Sequence, residues 1–99
     1  MKVIDFRTSK FVMIPRSLVE DASLLMRDKA VYTALCLYAN NDTKQAYPSA
    51  ETIAGISGCS RNSVFRAIDA LEKAGYLRRE RRKNGHGRQT TNIYYLLDK

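Results

Sequence analysis

At 99 residues, 44% of them apolar and 27% charged, with five glycines and two prolines, the chain has material for one small domain with its own core and excludes two. The composition lies outside the disordered range, no run approaches the ~18 apolar residues of a membrane span, and the charged start MKVIDFRTSK is unlike the apolar run of a signal peptide, so a cytoplasmic location is expected. Two cysteines, Cys36 and Cys59, and the single His86 are too few for a disulfide scaffold and too scattered for a zinc site, so neither metal nor cofactor is expected.

The formal net charge is +7, and it is concentrated in one stretch. Between positions 61 and 88 stand nine basic residues (Arg61, Arg66, Lys73, Arg78, Arg79, Arg81, Arg82, Lys83 and Arg88) against three acidic ones, Asp69, Glu72 and Glu80. That segment therefore holds +6 of the total, while the rest of the chain is nearly balanced, eight basic against seven acidic. A local field of this kind suits an anionic partner, nucleic acid first among them; a merely solvated basic surface is the alternative.

In chain order, Phe11-Val12-Met13-Ile14-Pro15 is a short apolar run stopped by proline, which suits a brief edge strand, with Pro15 opening a single helical turn through Leu18 and Val19. Over 27–38 the apolar residues Val31, Ala34, Leu35 and Tyr38 recur at i, i+3, i+4 and i+7, which predicts a helix with these four on its buried face. Cys36 and Leu37 widen that apolar surface toward a second neighbour, and Cys36 reads as a small core residue. Residues 40–44 are a loop by composition, and Ser49 is placed to cap a helix over 50–56. Ser57-Gly58-Cys59 breaks it, Ser60 caps a further helix with Val64, Ala67, Ile68 and Leu71 on one face, and Gly75 ends that helix. Two strand-like runs, 76–82 and 91–97, flank the polar tip Lys83-Asn84-Gly85-His86-Gly87-Arg88 and predict a β-hairpin.

Two helices joined by a three-residue turn, the second followed by a basic hairpin, form a composite signal. A helix-turn-helix needs a small residue where its helices cross, a glycine where the turn takes positive φ, and an apolar residue pinning the second helix to the core. Ala54, Gly58 and Val64 stand at those places. The second helix, 61–74, then points Asn62, Arg66, Asp69 and Lys73 away from the core, with Ser63 and Phe65 on its flanks.

The chain also resembles a known family, the winged helix-turn-helix domains of phage and plasmid replication initiators and DnaD-like replisome organisers. The matching residues are Phe11 to Pro15, Lys29-Ala30-Val31-Tyr32, Tyr47-Pro48-Ser49, Gly58-Cys59-Ser60-Arg61 and Asn92-Ile93-Tyr94, and the likeness covers 11–97. It implies an α+β, mainly α fold: a three-helix core, a β-hairpin wing and a short N-terminal strand. One domain over 1–99 is expected, with a flexible arm at 1–10, the helix-turn-helix at 49–75 and the wing at 76–97.

If the chain grips double-stranded DNA, the residue roles follow from chemistry. Asn62 and Arg66 are the candidates for reading bases, because Asn matches adenine N6/N7 and Arg matches guanine O6/N7 with two hydrogen bonds each. Asp69 would either orient Arg66 or accept from a cytosine amine. Ser60 and Arg61, at the helix N-terminus, fit phosphate, although a plain structural cap accounts for Ser60 equally well, and Ser63 and Lys73 complete the DNA-binding set on this helix. Arg79, Arg81, Arg82, Lys83, His86 and Arg88 form the basic wing, which meets phosphate or enters a narrow minor groove. His86 titrates on binding or is simply solvated. Phe65 touches a thymine methyl or packs on its neighbours and stays outside the candidate set, and Asn92 and Tyr94 close the wing against the body.

The leading expectation is a double-stranded DNA binder using the helix 61–74 and the wing 78–88 in replication initiation. A transcriptional regulator of the same fold and a winged helix that binds an acidic protein are the alternatives. An enzyme is not expected, since there is one loop histidine, no carboxylate pair near it and no glycine-rich phosphate cradle after a strand. Further partners are replication proteins or a second copy of the chain, pairing through Val3, Ile4, Phe6, Phe11 and Val12. No membrane or small-molecule ligand is expected.

Overall fold

The computed structural model describes residues 12–39, 45–46, 48–80 and 92–97. Residues 12–15 enter without regular structure, and Pro15, with an extended backbone (φ −62°, ψ 135°), caps the short helix α1, Arg16–Glu20. Leu18 and Val19 donate their N–H groups to the Pro15 carbonyl at 3.1 and 3.4 Å, so the single turn predicted after Pro15 is present, and its Leu18 is fully buried. The predicted N-terminal strand is not: among the described residues 12–15 nothing joins the sheet, and Val12, Met13 and Ile14 are exposed. A proline at the end of the run withholds a ladder donor, and the place beside the hairpin is taken by another segment. Phe11 and the arm at 1–10 lie outside the described residues.

Helix α2, Met26–Cys36, starts where Asp28, at the third position, accepts the Leu25 N–H at 2.9 Å, half of a capping box. Asp28 is buried, and Arg27 supplies its counter-charge at 3.2 Å. Val31, Ala34 and Leu35 are buried as their spacing predicts, but Tyr38 is 44% exposed. The reason is a tightening of the helix end. Leu37 and Tyr38 donate to carbonyls only three residues back, and such a turn rotates each residue by more than the α-helical 100°, which carries Tyr38 off the face. Tyr32 is buried instead, its ring set edge-on to Tyr76 at 6.4 Å. Cys36, predicted as a core residue, is partly buried against the core.

Helices α3, Ala50–Ser57, and α4, Arg61–Ala74, follow the predicted boundaries closely. Both pack against α2 and against each other. After α4 come β2, Leu77–Glu80, and β3, Ile93–Leu96, paired antiparallel with Leu77 opposite Leu96 and Arg79 opposite Tyr94. A two-residue strand, β1, Gln45–Ala46, pairs with the other edge of β3, so the sheet order is β1-β3-β2. The core gathers Leu18, Leu24, the inner face of α2, Ile53, Val64, Ala67, Ile68, Leu71, Tyr76, Leu77 and Tyr94. Tyr94 is buried, as its predicted structural role requires.

The Tyr76 hydroxyl donates to Asp21 Oδ2 at 2.9 Å, tying the start of β2 to the loop between α1 and α2. Burial, together with the Asp21 carboxylate, pushes its phenol above the ordinary tyrosine range. The arrangement is a winged helix-turn-helix, mainly helical with an antiparallel hairpin. No helix of the described residues is long and apolar enough to cross a membrane.

Candidate nucleic-acid interface

The helix-turn-helix is fixed by four local devices. Ser49 Oγ accepts the Thr52 N–H at 3.2 Å, and Ser60 Oγ accepts the Ser63 N–H at 3.2 Å, so each helix begins on a satisfied donor. Gly58 ends α3 in the left-handed region at φ 75°, and Gly75 ends α4 likewise at φ 90°. At both positions a side chain would be strained, which is why glycine stands there. Ala54 is half buried at the crossing and Val64 is fully buried, in the roles their spacing assigns them.

With Val64, Ala67, Ile68 and Leu71 turned into the core, α4 exposes Asn62, Arg66, Asp69 and Lys73 along its opposite side. Asn62, Arg66 and Lys73 form no hydrogen bond or ion pair with any described residue, so their polar groups face solvent. Ser60 is exposed and already serves as the cap, and it also donates to Ser63 Oγ at 3.1 Å. Arg61 pairs with Glu51 of α3 at 3.0 Å, and its guanidinium lies 5.7 Å from the centre of the Phe65 ring. Both partners of that ion pair are largely exposed, and such pairs contribute at most ~1 kcal/mol, so Arg61 is free to exchange Glu51 for another anion.

Asp69 departs from expectation. It does not orient Arg66; it accepts from Arg79 Nη2 at 2.9 Å, across from β2. Arg79 also meets Glu72, through Nη2 at 3.2 Å and through its backbone N–H at 2.9 Å. Of the predicted cluster, the structure thus brings Ser60, Arg61, Asn62, Ser63, Arg66 and Lys73 onto one helix and sets Arg79 against its side. Arg81, Arg82, Lys83, His86 and Arg88 lie outside the described residues.

Two partners escaped the sequence reading. Glu51 sits on a different helix from Arg61, and no spacing rule links them. Arg78, on the outward side of β2, lies 4.2 Å from the centre of the Tyr95 ring and 3.6 Å from Glu80; that contact depends on the strand register, which a four-residue strand does not announce. Among the described residues no group of three His, Cys, Asp or Glu side chains is placed to hold a metal, and neither Cys36 nor Cys59 forms a disulfide.

The pattern of the helix-turn-helix domain family matches residues 23–77. No curated protein matches the chain in sequence. Among solved structures, the N-terminal domain of a DNA-binding protein superposes with a TM-score of 0.66 at 20% identity, over 99% of this chain and 84% of that one. A structure of a Rep–DNA complex superposes with a TM-score of 0.65 at 19% identity, over 100% of this chain and 86% of that one. At these identities the likeness is one of fold.

Proposed function

The chain belongs to the helix-turn-helix domain family, and on that premise we propose that it binds double-stranded DNA, with α4 in the major groove and the basic hairpin on the adjacent backbone. The observation that carries this reading is the exposed row Asn62, Arg66 and Lys73 on the side of α4 opposite its core face. The row has the chemistry a groove demands, with one amide and one guanidinium for base edges near the N-terminal half and an ammonium for phosphate farther along. Ser60, Arg61 and Ser63 stand at the helix N-terminus, where exposed N–H groups and the helix dipole favour a phosphate oxygen.

After β2 the sequence adds the cations Arg81, Arg82, Lys83 and Arg88, with His86 among them, and a groove-lying helix with a flanking cationic hairpin is a footprint wider than either part alone. Within that reading the chain serves DNA replication initiation. The support is the resemblance of Tyr47-Pro48-Ser49, Gly58-Cys59-Ser60-Arg61 and Asn92-Ile93-Tyr94 to replication initiators, together with a shared fold with the Rep–DNA complex.

Counterion release supplies the test. If Arg61, Arg66 and the hairpin cations together neutralise about five or six phosphates, log K falls against log salt with a slope near −5. Fluorescence anisotropy with a labelled duplex between 50 and 300 mM salt measures it, roughly the range over which such slopes are resolved. A slope near zero removes the DNA reading and leaves an acidic protein as the partner to seek.

A further inference from the structure

We propose that Arg79 is a positioning residue: it struts the hairpin against α4 and holds helix and hairpin at the one angle at which both meet the same duplex. The proposal rests on the DNA-binding reading and assigns Arg79 a place within it that differs from phosphate contact.

Three contacts converge on this residue. Its Nη2 donates to Asp69 Oδ1 at 2.9 Å and to Glu72 Oε1 at 3.2 Å, and its N–H donates to Glu72 Oε2 at 2.9 Å. Its side chain is 23% exposed, against 58% for Arg78 and 64% for Arg61. β2 is an outer strand of the sheet, so a donor on its free edge would otherwise be left to solvent or to another chain; Glu72 takes it. Both side-chain contacts are made by the one nitrogen Nη2, which bridges the two carboxylates, while the backbone N–H holds Glu72 from the other side.

Charge decides between strut and phosphate ligand. Asp69 and Glu72 both lie on the flank of α4 that faces the hairpin, and Arg79 is the cation they share. Were Arg79 to leave them for a phosphate, two carboxylates would remain beside a polyanion without their counter-charge. The exchange trades two close ion pairs for one and adds repulsion. Arg79 therefore stays with α4, and its charge serves the protein's own geometry.

Position along the hairpin gives the strut its leverage. Leu77, at the start of β2, is buried in the core, whereas Glu80, at its end, is exposed. Arg79 is thus the fastening nearest the tip among the described residues of β2. The cations at 81–88 follow it in sequence, and Asp69 is one turn from Arg66 on α4. Base reading by the helix and anchoring by the tip are coupled through this one side chain.

The test is a cycle on the full chain with two duplexes: one selected by the chain from a randomised pool, and a scrambled duplex of the same composition. Arg79→Gln is measured in the native background and in the Asp69→Asn/Glu72→Gln background. Acting through the two acids, it weakens the selected duplex about tenfold in the first and less than about twofold in the second, since coupled residues are not additive. Equal loss in both backgrounds, the additive signature of a phosphate ligand, overturns the proposal, and so does no loss in either.

A second measurement needs no DNA. Residual dipolar couplings of amides in 77–80, 93–96 and 61–74 fit one alignment tensor in the native chain and separate into two in Arg79→Gln, with circular dichroism verifying that the helices persist. A single tensor in Arg79→Gln overturns the strut whether or not a duplex binds. A native chain that binds neither duplex refutes the DNA reading, and the couplings still decide the strut.

Discussion

Asn62 and Arg66 stand one turn apart on α4, exposed and without intramolecular partners among the described residues, so their hydrogen-bonding capacity is unspent. Removing either with alanine is expected to cost about 1–3 kcal/mol on the selected duplex and to relax its sequence preference. Arg82→Ala, in the hairpin tip, should weaken selected and scrambled duplexes alike, because a phosphate looks the same everywhere. Equal losses from Arg66→Ala on both duplexes would show that α4 does not read bases. Tyr76 makes a different kind of prediction. Its phenol is held neutral beyond the usual range by burial and by Asp21, so the unfolded chain releases this proton first as pH rises. The contribution is fully present below the ordinary tyrosine pKa of about 10 and is lost as pH climbs from there through the higher folded value. Tyr76→Phe should melt a few degrees lower than the native chain at pH 8, and the gap should narrow at pH 11, as read by thermal unfolding at both.

Gly58 tests the turn between α3 and α4. A Cβ placed there meets nothing within 4 Å, so the penalty of Gly58→Ala is conformational and should be about 1–2 kcal/mol, the cost of a left-handed residue. Gly58→Asn should recover part of it, and urea unfolding with an unchanged m-value distinguishes lost stability from a changed fold. The same locality explains why this part of the molecule was legible in the sequence. Ser49, Gly58, Ser60 and Gly75 each act within one helical turn of their position, and the row Val64, Ala67, Ile68 and Leu71 needs only the helical period to reveal the opposite row. What was not legible depends on distant partners. β1 carries two residues and no periodicity, and it is a strand because β3 has a free edge. Asp69 finds Arg79 ten residues on, in another element, where no spacing rule points. Tyr38 left its expected face because the helix tightened over its last turn, a matter of backbone hydrogen bonds rather than of hydrophobic pattern.

For the whole molecule, one helix-turn-helix covers one half-site, and useful specificity calls for a second copy on neighbouring sequence. No heptad-patterned helix is present among the described residues to join two chains, and Met13 is 88% exposed just after the apolar residues of the N-terminal segment. Analytical ultracentrifugation at micromolar concentration is expected to show a monomer with weak self-association that disappears when residues 1–10 are removed. A tight dimer that survives the truncation would place the pairing surface elsewhere.

The sheet order carries a consequence for the life of the chain. β3, late in the sequence, is the middle strand, and both β1 and β2 pair only with it. On a ribosome, α1 to α4 can emerge and pack while β1 and β2 still lack their common partner. The hairpin closes only once Ile93–Leu96 has left the exit tunnel. A nascent chain stalled before that point would carry a folded α4 without the β2–β3 pairing, so on the proposed reading its contacts to a duplex would come in two steps, helix first and hairpin after.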